Sequence, residues 1–214
     1  SCTPEDIELV EIESFEALPD EPTAQRFVNF IRRHLAREQS RPLLAENLAL
    51  DLGLDSKAYR DKVPTLQKLV ENARASDPSV ELATNLWSRF VDHLEGAGGA
   101  FRPAPYLDEV YLLILARLLS ANALAGKAIS SDETELKAIL DGGYFLAQYQ
   151  LENLVEQDYF GWLVRPEHID GFLPIAQSIQ SDLYVYDFTR RAEDDLFGRL
   201  MAQLARRSQR KLLG

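Results

Sequence analysis

Apolar residues recur at helical spacing along most of the chain. In TAQRFVNFIRRHLARE, Phe27, Phe30, Ile31 and Leu35 fall on one side of a helix, and Thr23 stands where an N-cap belongs. RPLLAENLALDLGL places Leu44, Leu48 and Leu52 at i, i+4 and i+8, which predicts a second helix. Asp55 is placed to cap a third through SKAYRDKVPTLQKLVENARA. Pro64 inside it predicts either a kink or a break near Val63, because proline lacks the amide and its ring meets the preceding turn. SDPSVELATNLWSRFVDHLEG opens on an Asp-Pro start signal and closes on Gly96.

The longest apolar pattern spans residues 106–124. Leu107, Val110, Tyr111, Ile114, Leu118 and Leu119 give it a face broad enough for the middle of a core. SSDETELKAIL starts on a capping signal, and DGGYF reads as a turn. LENLVEQDYFGWLV predicts a helix with Leu151, Leu154, Val155, Tyr159 and Trp162 on one side. Its Glu152 and Glu156, one turn apart near the start, complement the helix dipole. HIDGFLPIAQSIQSDL reads as a short helix broken near Pro174, and a final helix begins at about Arg190.

Only residues 7–15, in IELVEIESF, cluster β-branched side chains as a short strand or extended segment would. No strand–helix alternation and no internal repeat appears. The expected fold is therefore mainly α: a multi-helix bundle in one or two lobes, with a short extended or β lead-in at the N-terminus. The expected organisation is an acidic lead-in at 1–22, an N-terminal helical lobe at 23–96, a Gly/Pro linker at 97–105 and a C-terminal helical lobe at 106–214.

Composition adds limits. With 214 residues the chain can bury a full core. Its one cysteine, Cys2, has no internal partner, so the fold needs no oxidation and a cytoplasmic setting is expected. The N-terminus lacks the basic and apolar regions of a signal peptide. YLLILARLLSANALAG is too short for a membrane span, and Arg117 interrupts it. The net charge of -11 argues against a surface uniformly suited to nucleic acid. The charge is uneven, however: the first twenty-odd residues carry acids and no Lys or Arg, whereas the end is basic.

The search for chemistry returns no catalytic or metal centre. His34, His93 and His168 are scattered without ligand spacing, and no second cysteine is present to build a thiolate site. Gly-rich phosphate loops are absent, and GAGGAF, preceded by a helix and followed by prolines, reads as a linker. At the basic end, Arg199, Arg206 and Arg210 fall nearly in one line on a helix, with Arg207 and Lys211 beside them, while Leu196, Leu200 and Leu204 form a separate apolar stripe. Such a ridge is either a solvated face whose cations suit a helix C-terminus or a salt-sensitive contact to DNA phosphates.

Two stretches exceed generic helix pattern: residues 139–164, ILDGGYFLAQYQLENLVEQDYFGWLV, and residues 194–214, DDLFGRLMAQLARRSQRKLLG. In this order they resemble the region just upstream of the catalytic domain in large bacterial N6-adenine DNA methyltransferases of restriction-modification systems. The family's Leu-Asp-Gly-Gly turn and following acidic, aromatic helix look like Leu140, Asp141, Gly142, Gly143 and Phe145, then Glu152, Asn153, Tyr159, Phe160 and Trp162. Its Asp-x-x-Gly-x-Leu-Tyr helix looks like Asp195 to Leu200 with Gly198 as the glycine, Met201 standing where the tyrosine is usual. VEIESF and LLAENLALDLGLDSKAYRDKV are compatible with the region that follows a nuclease-like domain in relatives.

The resemblance implies a helical connector domain that positions a catalytic domain on DNA. The partners it implies are that methyltransferase domain, DNA and a nuclease domain, with no membrane. S-adenosylmethionine is the cofactor expected for the parent protein, with none in this chain. No Phe-x-Gly-x-Gly cofactor loop or Asn/Asp-Pro-Pro-Tyr/Phe motif appears, and both are needed to hold the cofactor and the flipped adenine, so no catalytic residue is carried over. The chain is expected to stop at the junction with that domain. A free-standing helical protein–protein adaptor is the alternative.

Overall fold

The computed structural model describes residues 24, 27, 41–95, 101–152 and 159–189. Its contacts cluster into two units, Ser1–Glu38 and Gln39–Gly214. Of the first, Ala24 and Phe27 are described, both helical where the phenylalanine spacing predicts a helix. In the second, the described elements run β1 (Arg41–Pro42), α1 (Ala45–Leu52), α2 (Lys57–Ser76), α3 (Pro78–Glu95), α4 (Pro103–Ala125), α5 (Glu133–Asp141), α6 (Gly143–Tyr149), a 3-10 turn (Gly161–Val164), α7 (Ile169–Leu183) and β2 (Tyr186–Asp187). The fold is mainly α, as the periodicity predicts. The expected strand at 7–15, the glycines of the 96–100 stretch and the final helix from 190 lie outside the described residues.

α4 is the hub. It buries Val110, Tyr111, Ile114, Leu115, Leu118 and Leu119 on several sides and packs against α2, α5 and α7. A helix apolar nearly all round belongs inside a bundle. The Tyr111 hydroxyl donates to the Leu52 carbonyl at 2.8 Å, tying α4 to the end of α1. α4 begins at Pro103, one turn earlier than the apolar pattern alone suggests, because a proline in the first helical position surrenders no hydrogen bond. α2 touches both α3 and α4, so helices on the two sides of the 97–105 stretch share one core.

Neither of the breaks considered, near Pro64 and near Pro174, occurs. Pro64 and Pro174 lie inside the unbroken helices α2 and α7. A mid-helix proline costs about 3 kcal/mol. Each large apolar side chain fully buried returns roughly 1.5–3 kcal/mol. α7 alone buries Phe172, Leu173, Ile175, Ile179 and Leu183, so packing outweighs the local penalty. α2 and α7 approach so closely that a Cβ on Gly171 would lie 2.8 Å from Leu69 Cδ2.

The capping signals of the described helices are read at α5 and shifted by one residue at α2. Asp132 caps α5 through the amides of Thr134 (2.9 Å) and Glu135 (3.2 Å). At α2 the cap is Ser56, whose Oγ accepts from the Tyr59 amide at 3.0 Å, and not Asp55. The helix expected over LENLVEQDYFGWLV is corrected at its two ends: Leu151 and Glu152 follow α6 in non-helical conformation, and residues 161–164 form a 3-10 turn, while residues 153–158 lie outside the described residues.

β1 and β2 pair in parallel, Arg41 with Tyr186 and Pro42 with Asp187. Asp51 reinforces the pair by accepting from Arg41 Nη2 at 2.9 Å and from the Tyr186 hydroxyl at 2.6 Å. Burial pushes that hydroxyl above the usual tyrosine range, which keeps it a donor. Among the described residues no helix is long and apolar enough to cross a membrane.

Candidate functional site: a charged cleft between α2 and α7

Asp77 is the single residue between α2 and α3. Its amide donates to the Ala73 carbonyl at 2.8 Å, closing α2, and its carboxylate opens α3. Oδ1 accepts from the Ser79 amide at 2.8 Å and from the Ser79 hydroxyl at 2.7 Å. The Asp-Pro signal in the sequence thus marks a true helix start. Oδ2 is left facing the turn before α7, where Arg165 Nη1 donates to it at 3.2 Å and His168 Nε2 lies at 3.3 Å. The Ser79 hydrogen bonds above all, then His168 and the Arg165 charge, hold the Asp77 carboxyl down at about 2.

His168 is positioned from behind. Its ring meets Trp162 edge-on, with centroids 5.4 Å apart, and Trp162 donates its indole N–H to the Tyr106 hydroxyl at 2.8 Å. Tyr106 in turn donates to the Tyr159 carbonyl at 3.0 Å, so an aromatic chain runs from the core of α4 to the imidazole. The Arg165 carbonyl accepts from the amides of His168 and Ile169, both at 2.9 Å, and fixes the turn. The neighbouring Glu167 is exposed.

Asp77, Glu167 and His168 line an open cleft of about 520 Å³ together with Leu69, Trp162 and Phe172. Ligand atoms of Asp77, Glu167 and His168 all lie within 4.8 Å of one another. The arrangement offers one imidazole and two carboxylates beside an apolar wall, with Arg165 as the adjoining cation. Such a set can bind a cation or a polar ligand and can move protons.

Sequence reading set the three histidines aside as ligands, yet the fold brings His168 to Asp77 across 91 residues. The local signals, Asp77 before Pro78 and Glu167 beside His168, are each explained by helix starts, and no spacing rule joins them.

The residues of the family-like turn serve architecture. Gly142 joins α5 to α6 at φ 92, a left-handed conformation suited to glycine. Asp141 Oδ1 accepts from the Gly143 amide at 2.8 Å. Phe145 and Trp162 are buried, whereas Glu152 is exposed and outside any helix. Gly198 and the candidate DNA contacts Arg199, Arg206, Arg207, Arg210 and Lys211 lie outside the described residues. No family model, no curated protein and no solved structure matches the chain.

Proposed function

We propose that the chain is the helical connector domain of a bacterial adenine-specific DNA methyltransferase of the restriction-modification type. It positions the catalytic domain on DNA and couples modules, performs no catalysis alone, and acts in the cytoplasm. S-adenosylmethionine belongs to the catalytic domain of the parent protein. One observation carries this reading: the described residues of the first resembling stretch, 139–152 and 159–164, build one corner of the bundle. Leu140 and Phe145 are buried on either side of the Gly142 corner, and the turn containing Trp162 packs on α5 and α7.

The test is the protein encoded by the whole reading frame around this chain. It is expected to bind S-adenosylmethionine and to methylate adenine N6 in DNA; failure of both removes the proposal. In that protein, DNA affinity should fall steeply with salt, and Arg206→Ala with Arg210→Ala should shallow the salt dependence by about two phosphate contacts. Unchanged affinity and slope remove the arginine ridge from DNA binding.

A second reading, a helical protein–protein adaptor, is favoured by a different feature. Leu82, Leu86 and Phe90 repeat at i, i+4 and i+8 on α3 and are exposed. A reading frame that stops at Gly214, together with a protein partner lost on Leu86→Asp and Phe90→Asp, would favour the adaptor.

A further inference from the structure

We propose that Asp77, Glu167 and His168 form a site for a divalent cation of the Zn2+ class, open on one side to the cleft. This site is independent of the connector reading. Zinc bonds to nitrogen and oxygen are about 2.0–2.2 Å long, so the edge of a tetrahedral site measures roughly 3.4 Å. His168 Nε2 and Asp77 Oδ2 already stand 3.3 Å apart, which is that edge. The Glu167 carboxylate is within 4.8 Å of both and exposed, so a side-chain rotation brings it to the third position.

The supports behind these atoms are those a metal site uses. Ser79 pins the other oxygen of Asp77, and Trp162 fixes the plane of the imidazole. One nitrogen and two carboxylate donors suit Zn2+ better than Ca2+, which takes six to eight oxygens. Three protein ligands leave a fourth position, and the three residues line the same cleft as Trp162 and Phe172. A cation held there would present a polarising centre to a small oxygen-bearing ligand in the cleft.

Arg165 is the competing cation. It reaches Asp77 Oδ2 at 3.2 Å but also donates to Ser79 Oγ at 2.5 Å, so it keeps a partner when a metal takes Oδ2. The positive ends of α3 and α7 oppose a cation, the negative end of α2 favours one, and the two carboxylates outweigh the single guanidinium.

The experiment is calorimetric titration of Zn2+ alone into the metal-free 214-residue chain, with NMR of the three histidine rings. One binding event is expected, with the His168 ring signals moving and those of His34 and His93 fixed. Loss of a ligand should weaken binding by at least about 10–100-fold, in His168→Ala and also in Glu167→Gln, whose exposed position leaves folding intact. Arg165→Ala should tighten binding severalfold. No binding below about 1 mM, movement of His34 or His93 instead, or affinity unchanged in Glu167→Gln overturns the proposal.

Discussion

Asn122 and Gln180 exchange two amide hydrogen bonds across the core, Asn122 Nδ2 to Gln180 Oε1 at 2.8 Å and Gln180 Nε2 to Asn122 Oδ1 at 3.0 Å. Both side chains are fully buried. The pair holds α4 to α7 and serves the connection after α4: the Ile129 amide donates to Asn122 Oδ1 at 2.7 Å, and the Ile129 carbonyl accepts from Gln180 Nε2 at 2.9 Å. Asn122→Leu leaves the Ile129 amide and part of Gln180 without partners, at about 1–3 kcal/mol each. The expected loss is about 2–4 kcal/mol, read as a lower urea midpoint at unchanged slope. Asn122→Leu with Gln180→Met should cost less than the sum of the single changes, because neither amide is then left facing the other's absence.

The turn between α5 and α6 makes a second prediction. Gly142 sits at φ 92, where a Cβ is strained whatever space surrounds it. Gly142→Ala should destabilise the protein by about 1–2 kcal/mol in thermal or urea unfolding. Gly143→Ala should cost less, since its added Cβ would lie 3.1 Å from the Asp141 carboxylate, a side chain that can move, and in ordinary contact with the Ala138 carbonyl at 3.9 Å. Equal losses at both positions would show that the turn does not depend on the left-handed conformation.

The sequence made the helices legible wherever local signals and packing agreed. Leu48 and Leu52 mark the buried face of α1, Asp77 and Asp132 mark helix starts, and the apolar run on α4 marks the centre. It failed where tertiary contacts overrode local preference. Pro174 reads as a break and Pro64 as a kink or a break, yet both helices continue, with Leu173 and Ile175 buried beside Pro174 and Lys62 and Leu66 buried near Pro64. Leu151 and Trp162 share a helical spacing, yet neither residue is α-helical: Leu151 follows α6 in non-helical conformation, and Trp162 lies in a 3-10 turn where its indole N–H donates to Tyr106. β1 and β2, two residues each, are too short for any alternation to show. The cleft was illegible for another reason: His168 and Asp77 meet only through the packing of α7 beside α2.

Asp77 predicts an acid-sensitive element of stability. Its carboxyl is lowered in the folded protein from 3.8 to about 2. The folded state therefore favours the charged form, and the associated stability is fully present above about pH 4. As pH falls from there through about 2 the carboxylate is protonated and that contribution disappears. Asp77→Asn keeps an acceptor for Ser79 but removes the charge facing Arg165 and His168. Urea midpoints measured across this range should fall less steeply in Asp77→Asn than in the unaltered protein. Parallel curves would show that Asp77 does not contribute to the acid transition.

Arg117 predicts a substitution that does not harm the protein. It lies at the middle of α4 with 5% of its surface exposed. Nη1 donates to the Leu140 carbonyl at 2.6 Å, while Nε and Nη2 have no hydrogen-bond partner among the described residues. Burial lowers its guanidinium to about 10, against a smaller opposing effect of Asp141. A depressed basic group means that the folded state disfavours the charge, so at neutral pH the ionised Arg117 weighs against folding. Replacing a buried ion by an apolar side chain of similar volume is often neutral or stabilising by about 1–4 kcal/mol. Arg117→Met is therefore expected to leave the urea midpoint unchanged or raise it, with the loss at the Leu140 carbonyl offset by removal of the buried charge. A loss of more than about 2 kcal/mol would show that the guanidinium is compensated in the folded protein by more than that one carbonyl.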